Sequence, residues 1–136
     1  MTASAAVFAY HDVGVRCLSV LLALGINVLR VYTHADDPNE NIWFGNVEAL
    51  ARAHGLPVTI VSKADDPAIA QTMSAENPDF LFSFYYRFML PASVLALAQR
   101  GAYNMHGSLL PKYRGRVPIN WAIVHGERED RKSTRL

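Results

Sequence analysis

The sequence predicts an α/β fold: a doubly wound, mostly parallel sheet with helices on both faces. Short apolar runs and helical patterns alternate about five times along the 136 residues, joined by short connections. The first run, AAVFAY over residues 5–10, carries no charge, as a strand buried on both faces should read. Right-handed crossovers make a doubly wound sheet the default topology for that order. At 51% hydrophobic the chain can bury one real core, so residues 1–136 form one domain.

Residues 11–14 are expected to turn the chain into a helix over residues 15–24, with Cys17, Leu18, Leu21, Leu22 and Leu24 at apolar spacing and Gly25 as its stop. INVLRVYT, residues 26–33, is a second strand, and HADDPNEN, residues 34–41, is a polar loop of turn formers. A second helix covers 47–54 and a short third strand 57–61. Pro67 opens a third helix over 67–77, where its missing N–H costs nothing. DFLFSF, residues 79–84, is the fourth strand and residues 91–99 are helical. Residues 102–106 form the fifth strand, and 118–125 a last helix.

Bulk properties exclude several classes. Net charge is +1, from 13 basic and 12 acidic side chains, so no overall field draws nucleic acid or membrane. One cysteine, Cys17, forms no internal disulfide and suits a reducing compartment; its bland role is a small apolar residue on a helix. The amino terminus lacks a basic signal region, and the run over residues 17–26 is too short for a bilayer. A cytoplasmic protein is the expectation. Of a G-x-G-x-x-G turn only Gly14 is present, which argues against a nicotinamide oxidoreductase. No phosphate-binding G-x-x-x-x-G-K-[ST] loop occurs, and no Cys/His spacing suggests zinc, so no metal is expected.

The chemistry concentrates in residues 101–115, GAYNMHGSLLPKYRG. On a strand, Asn104 and His106 project from one face while Met105 points back into packing. An amide donor beside an imidazole suits acyl transfer, the first stabilising an oxyanion and the second moving protons. The same spacing also suits a buried histidine and a turn-capping asparagine. Upstream, FSFYYRFML (residues 82–90) is unusually aromatic. Phe82 and Phe84 read as core, whereas Phe88, Met89 and Leu90 lie past the strand end and can line a cleft for a flat heteroaromatic ligand. Lys112, Arg114 and Arg116 suit phosphate or carboxylate groups, or are solvated loop charges.

These residues together resemble the 10-formyltetrahydrofolate-dependent formyltransferases. NMHGSLLPKYRGRVPINW is similar to that family's most distinctive motif. VFAYHDVG and FSFYYR look closest to the branch acting on UDP-4-amino-4-deoxy-L-arabinose in lipid A modification, and the resemblance covers residues 5 to about 129. It implies formyl transfer from 10-formyltetrahydrofolate, a co-substrate, to a primary amine of a UDP-linked amino sugar. It implies that His106 handles protons, that Asn104 stabilises the oxyanion, and that Phe88, Met89, Leu90 and Arg116 contact the folate.

The resemblance fails at the end. The family continues into another strand and a loop carrying an aspartate that pairs with the histidine. Residues 130–136 lack that pattern, and Asp130 does not fall in the family's order. The expectation is a truncated, Rossmann-like amino-terminal domain that catalyses poorly by itself and self-associates through an open sheet edge. Two other functions fit the sequence: a methionyl-tRNA formyltransferase domain, whose RNA would favour a basic surface, and a non-catalytic folate- or nucleotide-binding fragment.

Overall fold

Strand β1 (Ser4–Ala9) is buried along nearly its whole length, which is why its sequence is apolar without alternation. The computed structural model describes residues 2–39, 41–42, 45–105 and 133–135. After β1 come α1 (His11–Ala23), β2 (Asn27–Thr33), α2 (Val47–Ala53), β3 (Val58–Ile60) and α3 (Pro67–Glu76). Then follow β4 (Phe80–Phe84), α4 (Ala92–Leu95), β5 (Gly101–Met105) and β6 (Ser133–Arg135). They form one sheet in the order β3-β2-β1-β4-β5-β6, parallel except for the β5–β6 pair.

The chain builds outward from β1 to β3, then crosses back to lay β4 and β5 on the other side of β1. Right-handed crossovers on opposite sides of β1 require helices on opposite faces. The two cores follow suit. Ala5, Val7 and Ala9 pack with Leu18 of α1 and with Val47 and Ala51 of α2. Ala6 and Phe8 pack with Ile69 and Met73 of α3 and Val94 of α4. At the amino ends of the central pair, the Ser4 N–H donates to Asp79 Oδ2 at 3.0 Å and the Asp79 N–H to Ser4 Oγ at 3.0 Å. That reciprocal pair holds β1 and β4 in register.

Local chemistry sets the helix starts. Asn46 caps α2 by accepting from the Ala49 N–H, and Asp66 caps α3 by accepting from the Ala68 N–H ahead of Pro67. Helix α1 differs from its expected form. Residues 11–14 do not turn the chain; they are the first turn of the helix, which starts directly after the extended Tyr10. Gly14 allows this. A Cβ there would lie 3.1 Å from Ala9 Cβ, 3.1 Å from Val47 Cγ2 and 3.2 Å from the Ala9 carbonyl carbon. The lone glycine of the first turn thus serves helix–strand contact.

Two further elements depart from expectation. The helix expected over 91–99 is only α4, because the Gln99 N–H donates to the Pro78 carbonyl and the Arg100 N–H to the Asp79 carbonyl, drawing the chain back to β4. The tail, expected without a strand, contributes β6, which pairs antiparallel with residues 103–105 of β5. Strand pairing is made by backbone groups, so an apolar alternation was not required. The β5 edge expected to be open is therefore paired over those residues. The helix expected over 118–125 lies outside the described residues. Among the described residues no helix is long and apolar enough to cross a membrane.

Just beyond β4, the Tyr86 ring packs edge-on against Phe8 at 5.3 Å between centroids, and its hydroxyl is buried with no hydrogen-bond partner among the described residues. Burial, with the Asp66 carboxylate and Tyr32 adding to it, raises the Tyr86 phenol above the ordinary tyrosine range.

Two expectations follow from these contacts. Gly14→Ala should lower stability by about 1–2 kcal/mol, overpacking outweighing the gain in helix propensity, because the obstructing atoms include backbone; urea unfolding at native stability or above would contradict the contact. A raised phenol favours the folded state below the ordinary tyrosine pKa and withdraws that contribution as pH climbs past it. Because the Tyr86 hydroxyl is buried without a hydrogen-bond partner among the described residues, Tyr86→Phe should match native stability or exceed it by about 1 kcal/mol at pH 7. It should also fall less steeply above about pH 10, with Tyr32, raised chiefly by burial, still contributing. Parallel alkaline slopes for the two proteins would contradict it.

Candidate functional site

In open α/β sheets the crevice forms at the carboxyl ends of the strands where the order reverses. Here that point lies between β1 and β4. A row of side chains crosses the sheet just below it: Tyr32, Phe8, Ser83 and Asn104 are register partners on successive strands. Phe8 and Tyr32 stack at 4.3 Å and belong to the α3–α4 core, so Asn104 shares that face. Met105 points the other way, into the α1–α2 core, where the half-buried Cys17 thiol lies 3.9 Å from its sulfur. Burial raises the Cys17 thiol above its ordinary range, which suits an unreactive packing residue. The alternation expected for Asn104 and Met105 is therefore present. His106, Lys112, Arg114, Arg116 and Asp130 lie outside the described residues.

The segment after β4 turns toward the face that Asn104 occupies. Phe88 packs edge-on against Tyr86, at 5.8 Å between centroids, and Tyr86 packs on Phe8. Phe88 and Leu90 lean on the α3–α4 core, whereas Met89 is 84% exposed. Of the three apolar residues, two are half-buried supports and one projects outward. Phe82 and Phe84 stack at 5.8 Å on the opposite face, as core.

Sequence reasoning missed a second layer behind this wall. His34, 8% exposed at the end of β2, packs against Tyr10 at 3.9 Å and against Phe88 at 5.3 Å between ring centroids. The Tyr10 hydroxyl donates to Asp36 Oδ1 at 2.5 Å, and the Arg87 guanidinium lies 4.7 Å above the Tyr10 ring. HADD reads as a polar loop in the sequence, yet its first residue is a buried ring that joins the ends of β1, β2 and β4. The available signal was position, since each of these residues follows a strand that runs to the same edge. Asp12 adds a tie from α1, accepting the Gly45 N–H at 2.5 Å.

The backbone is strained at the crevice itself. His11 and Tyr85 take left-handed conformations, with φ of 67° and 59°, at the ends of adjacent strands β1 and β4. Their rings are in contact, 4.9 Å between centroids. Among the described residues no group of three His, Cys, Asp or Glu side chains is placed to hold a metal.

Chemically, this edge presents a primary amide on one face of a strand end, an apolar wall on that same face, and aromatic rings bracing the wall. An amide N–H aimed at a reacting carbonyl and a flat apolar surface are what acyl transfer from a heteroaromatic donor requires.

Comparison with known proteins bears on this arrangement. A family model described as formyl transferase matches residues 24–131. Among solved structures, phosphoribosylglycinamide formyltransferase from Anaplasma phagocytophilum is similar at 16% identity with a TM-score of 0.73, over 93% of this chain and 60% of that one. Glycinamide ribonucleotide transformylase 1 from Symbiobacterium toebii is similar at 19% identity and a TM-score of 0.72, over 92% and 61%. A formyltetrahydrofolate deformylase from Pseudomonas syringae pv. tomato is similar at 19% identity and a TM-score of 0.71, over 93% and 43%. The chain thus spans less than two thirds of the length of these three structures. At such identities they establish the shared α/β fold, and the family match over most of the chain establishes kinship: the chain belongs to the formyl transferase family.

Proposed function

We propose that this chain carries the formyl-transfer site of an enzyme that uses 10-formyltetrahydrofolate as donor and the primary amine of a UDP-linked amino sugar as acceptor. The observation that carries the transfer reading is the placement of Asn104 on the same sheet face, and at the same edge, as Phe88–Leu90 in a member of the formyl transferase family. In the reaction the amine nitrogen attacks the formyl carbon, the bond from that carbon to the folate nitrogen breaks, and a proton leaves the amine. Asn104 donates its amide N–H to the oxygen that gains charge, and His106, two residues on, takes the proton and returns it to the departing folate nitrogen, so that tetrahydrofolate leaves neutral at that nitrogen. Met89, with Phe88 and Leu90 behind it, packs the pterin, and Arg116 meets a polar or anionic part of the folate.

The amino-sugar acceptor rests on VFAYHDVG and FSFYYR, which run through the carboxyl ends of β1 and β4 into the segments beyond them and resemble the branch acting on UDP-4-amino-4-deoxy-L-arabinose. Glycinamide ribonucleotide is the second acceptor to consider, because it figures in the names of similar structures. A tRNA acceptor would favour a basic surface, which a net charge of +1 does not provide. Release of tetrahydrofolate, followed with each amine in turn, tests the proposal. UDP-4-amino-4-deoxy-L-arabinose should support release and simple amines should not. Release with none of the amines, together with no binding of a non-reactive formylfolate analogue, would refute the reading, and release with glycinamide ribonucleotide alone would transfer it to that acceptor.

Two substitutions test the assigned roles. Asn104→Ala should lower kcat about 10²–10³-fold, the cost of losing one oxyanion donor, while folate affinity changes little; a kcat within about threefold of native would remove Asn104 from the transition state. Met89→Lys should weaken folate binding about tenfold or more, because the ammonium must be desolvated against the pterin. Unchanged affinity in a titration would place the folate elsewhere.

A further inference from the structure

The strained pair at the crevice has no role in the chemistry above. Three non-glycine residues among those described take left-handed backbone: His11, Asn77 and Tyr85. Asn77 ends α3, an ordinary place for that conformation. His11 and Tyr85 are different, because each follows one of the two strands that meet where the sheet order reverses. For an L residue, left-handed backbone costs roughly five- to thirtyfold in population. A residue kept there despite that cost points toward function.

Burial does not explain Tyr85, which is 47% exposed and rests on His11. From this we propose that Tyr85, braced by His11, is the platform on which the amine-bearing sugar ring of the acceptor packs. The inference rests on the amino-sugar reading given above. Position selects the sugar ring over the rest of the acceptor. Phe84 pairs with Met105, and the Tyr10 N–H donates to the Phe84 carbonyl at 3.1 Å, so the ladder continues to the base of this pair. Neighbouring strands lie about 4.8 Å apart. Tyr85 follows Phe84 and therefore starts about one strand-spacing from the end of β5, two residues beyond Ser83, the partner of Asn104, and its ring meets that of His11 beyond the end of β1. That location adjoins the reacting amine and the ring that carries it, and is too near the chemistry for a base held beyond a diphosphate.

The chemistry agrees. A tyrosine face accepts the flat C–H face of a sugar, and its hydroxyl remains available to the sugar's own hydroxyls. Met89 on the donor side and Tyr85 on the acceptor side would then border the position of the transferred carbon.

Binding of UDP-4-amino-4-deoxy-L-arabinose, of UDP alone and of a non-reactive formylfolate analogue is measured by calorimetry on the native chain, Tyr85→Phe and Tyr85→Gly. Glycine takes the left-handed backbone without strain, so Tyr85→Gly should melt at or above the native temperature and a loss of binding would not reflect misfolding. Tyr85→Phe should bind the nucleotide sugar within about twofold of native. Tyr85→Gly should bind it about tenfold more weakly, a difference of about 1.4 kcal/mol, with UDP and the folate analogue unaffected. Nucleotide-sugar binding by Tyr85→Gly at native affinity would overturn the inference and leave the amino-sugar reading standing. An equal loss for UDP would also overturn it, since the ring would then meet the base. A native chain that binds the folate analogue and not the nucleotide sugar would refute the amino-sugar reading itself, and the inference with it.

Discussion

Because β1 lies in the middle of a parallel sheet and pairs with β4, a strand far along the chain, the sheet must grow in one direction and then the other. That single pairing produces the rest of the arrangement. It sends α1 and α2 to one face and α3 and α4 to the other, opens a crevice where their connections diverge, and delivers β5 one place away with Asn104 at its end. The reciprocal hydrogen bonds between Ser4 and Asp79 hold the pair at its amino end. At the opposite end nothing as regular is possible, since two chains must leave adjacent strands in opposite directions within a few ångströms. His11 and Tyr85, both left-handed, stand at that point of departure.

The two faces of the sheet carry different burdens. The α1–α2 face is packed tightly enough that one glycine, Gly14, decides whether the helix can sit on β1, and it absorbs Phe82, Phe84, Met105 and Cys17. The α3–α4 face holds a connected set of rings, running from Tyr32 through Phe8 and Tyr86 to Phe88, with His34 and Tyr10 alongside. An aromatic chain of this kind fixes the orientation of its last member by packing alone. Met89, the exposed residue beside it, is thereby carried on a rigid support.

Most of the strand order was legible because period and punctuation are local properties. The uncharged AAVFAY run, the Pro67 start and the alternation of Asn104 with Met105 each needed only a few residues to interpret, and each holds in the structure. What was not legible depends on register between distant segments. His34 looks like the first residue of a polar loop, and only the β1–β2 pairing brings it against Tyr10. The shortening of the helix after Pro91 follows from hydrogen bonds to Pro78 and Asp79, and β6 follows from a backbone edge waiting on β5. Gly14 was recognised for the missing dinucleotide turn, while its actual work, admitting α1 onto β1, requires knowing what stands opposite it.

If donor and amide meet on the α3–α4 face at the carboxyl ends of β4 and β5, a crystal structure of the protein with a non-reactive formylfolate analogue should show the pterin against Met89, with the formyl oxygen within hydrogen-bonding reach of the Asn104 side chain. An analogue bound on the α1–α2 face, or at the amino ends of the strands, would contradict it.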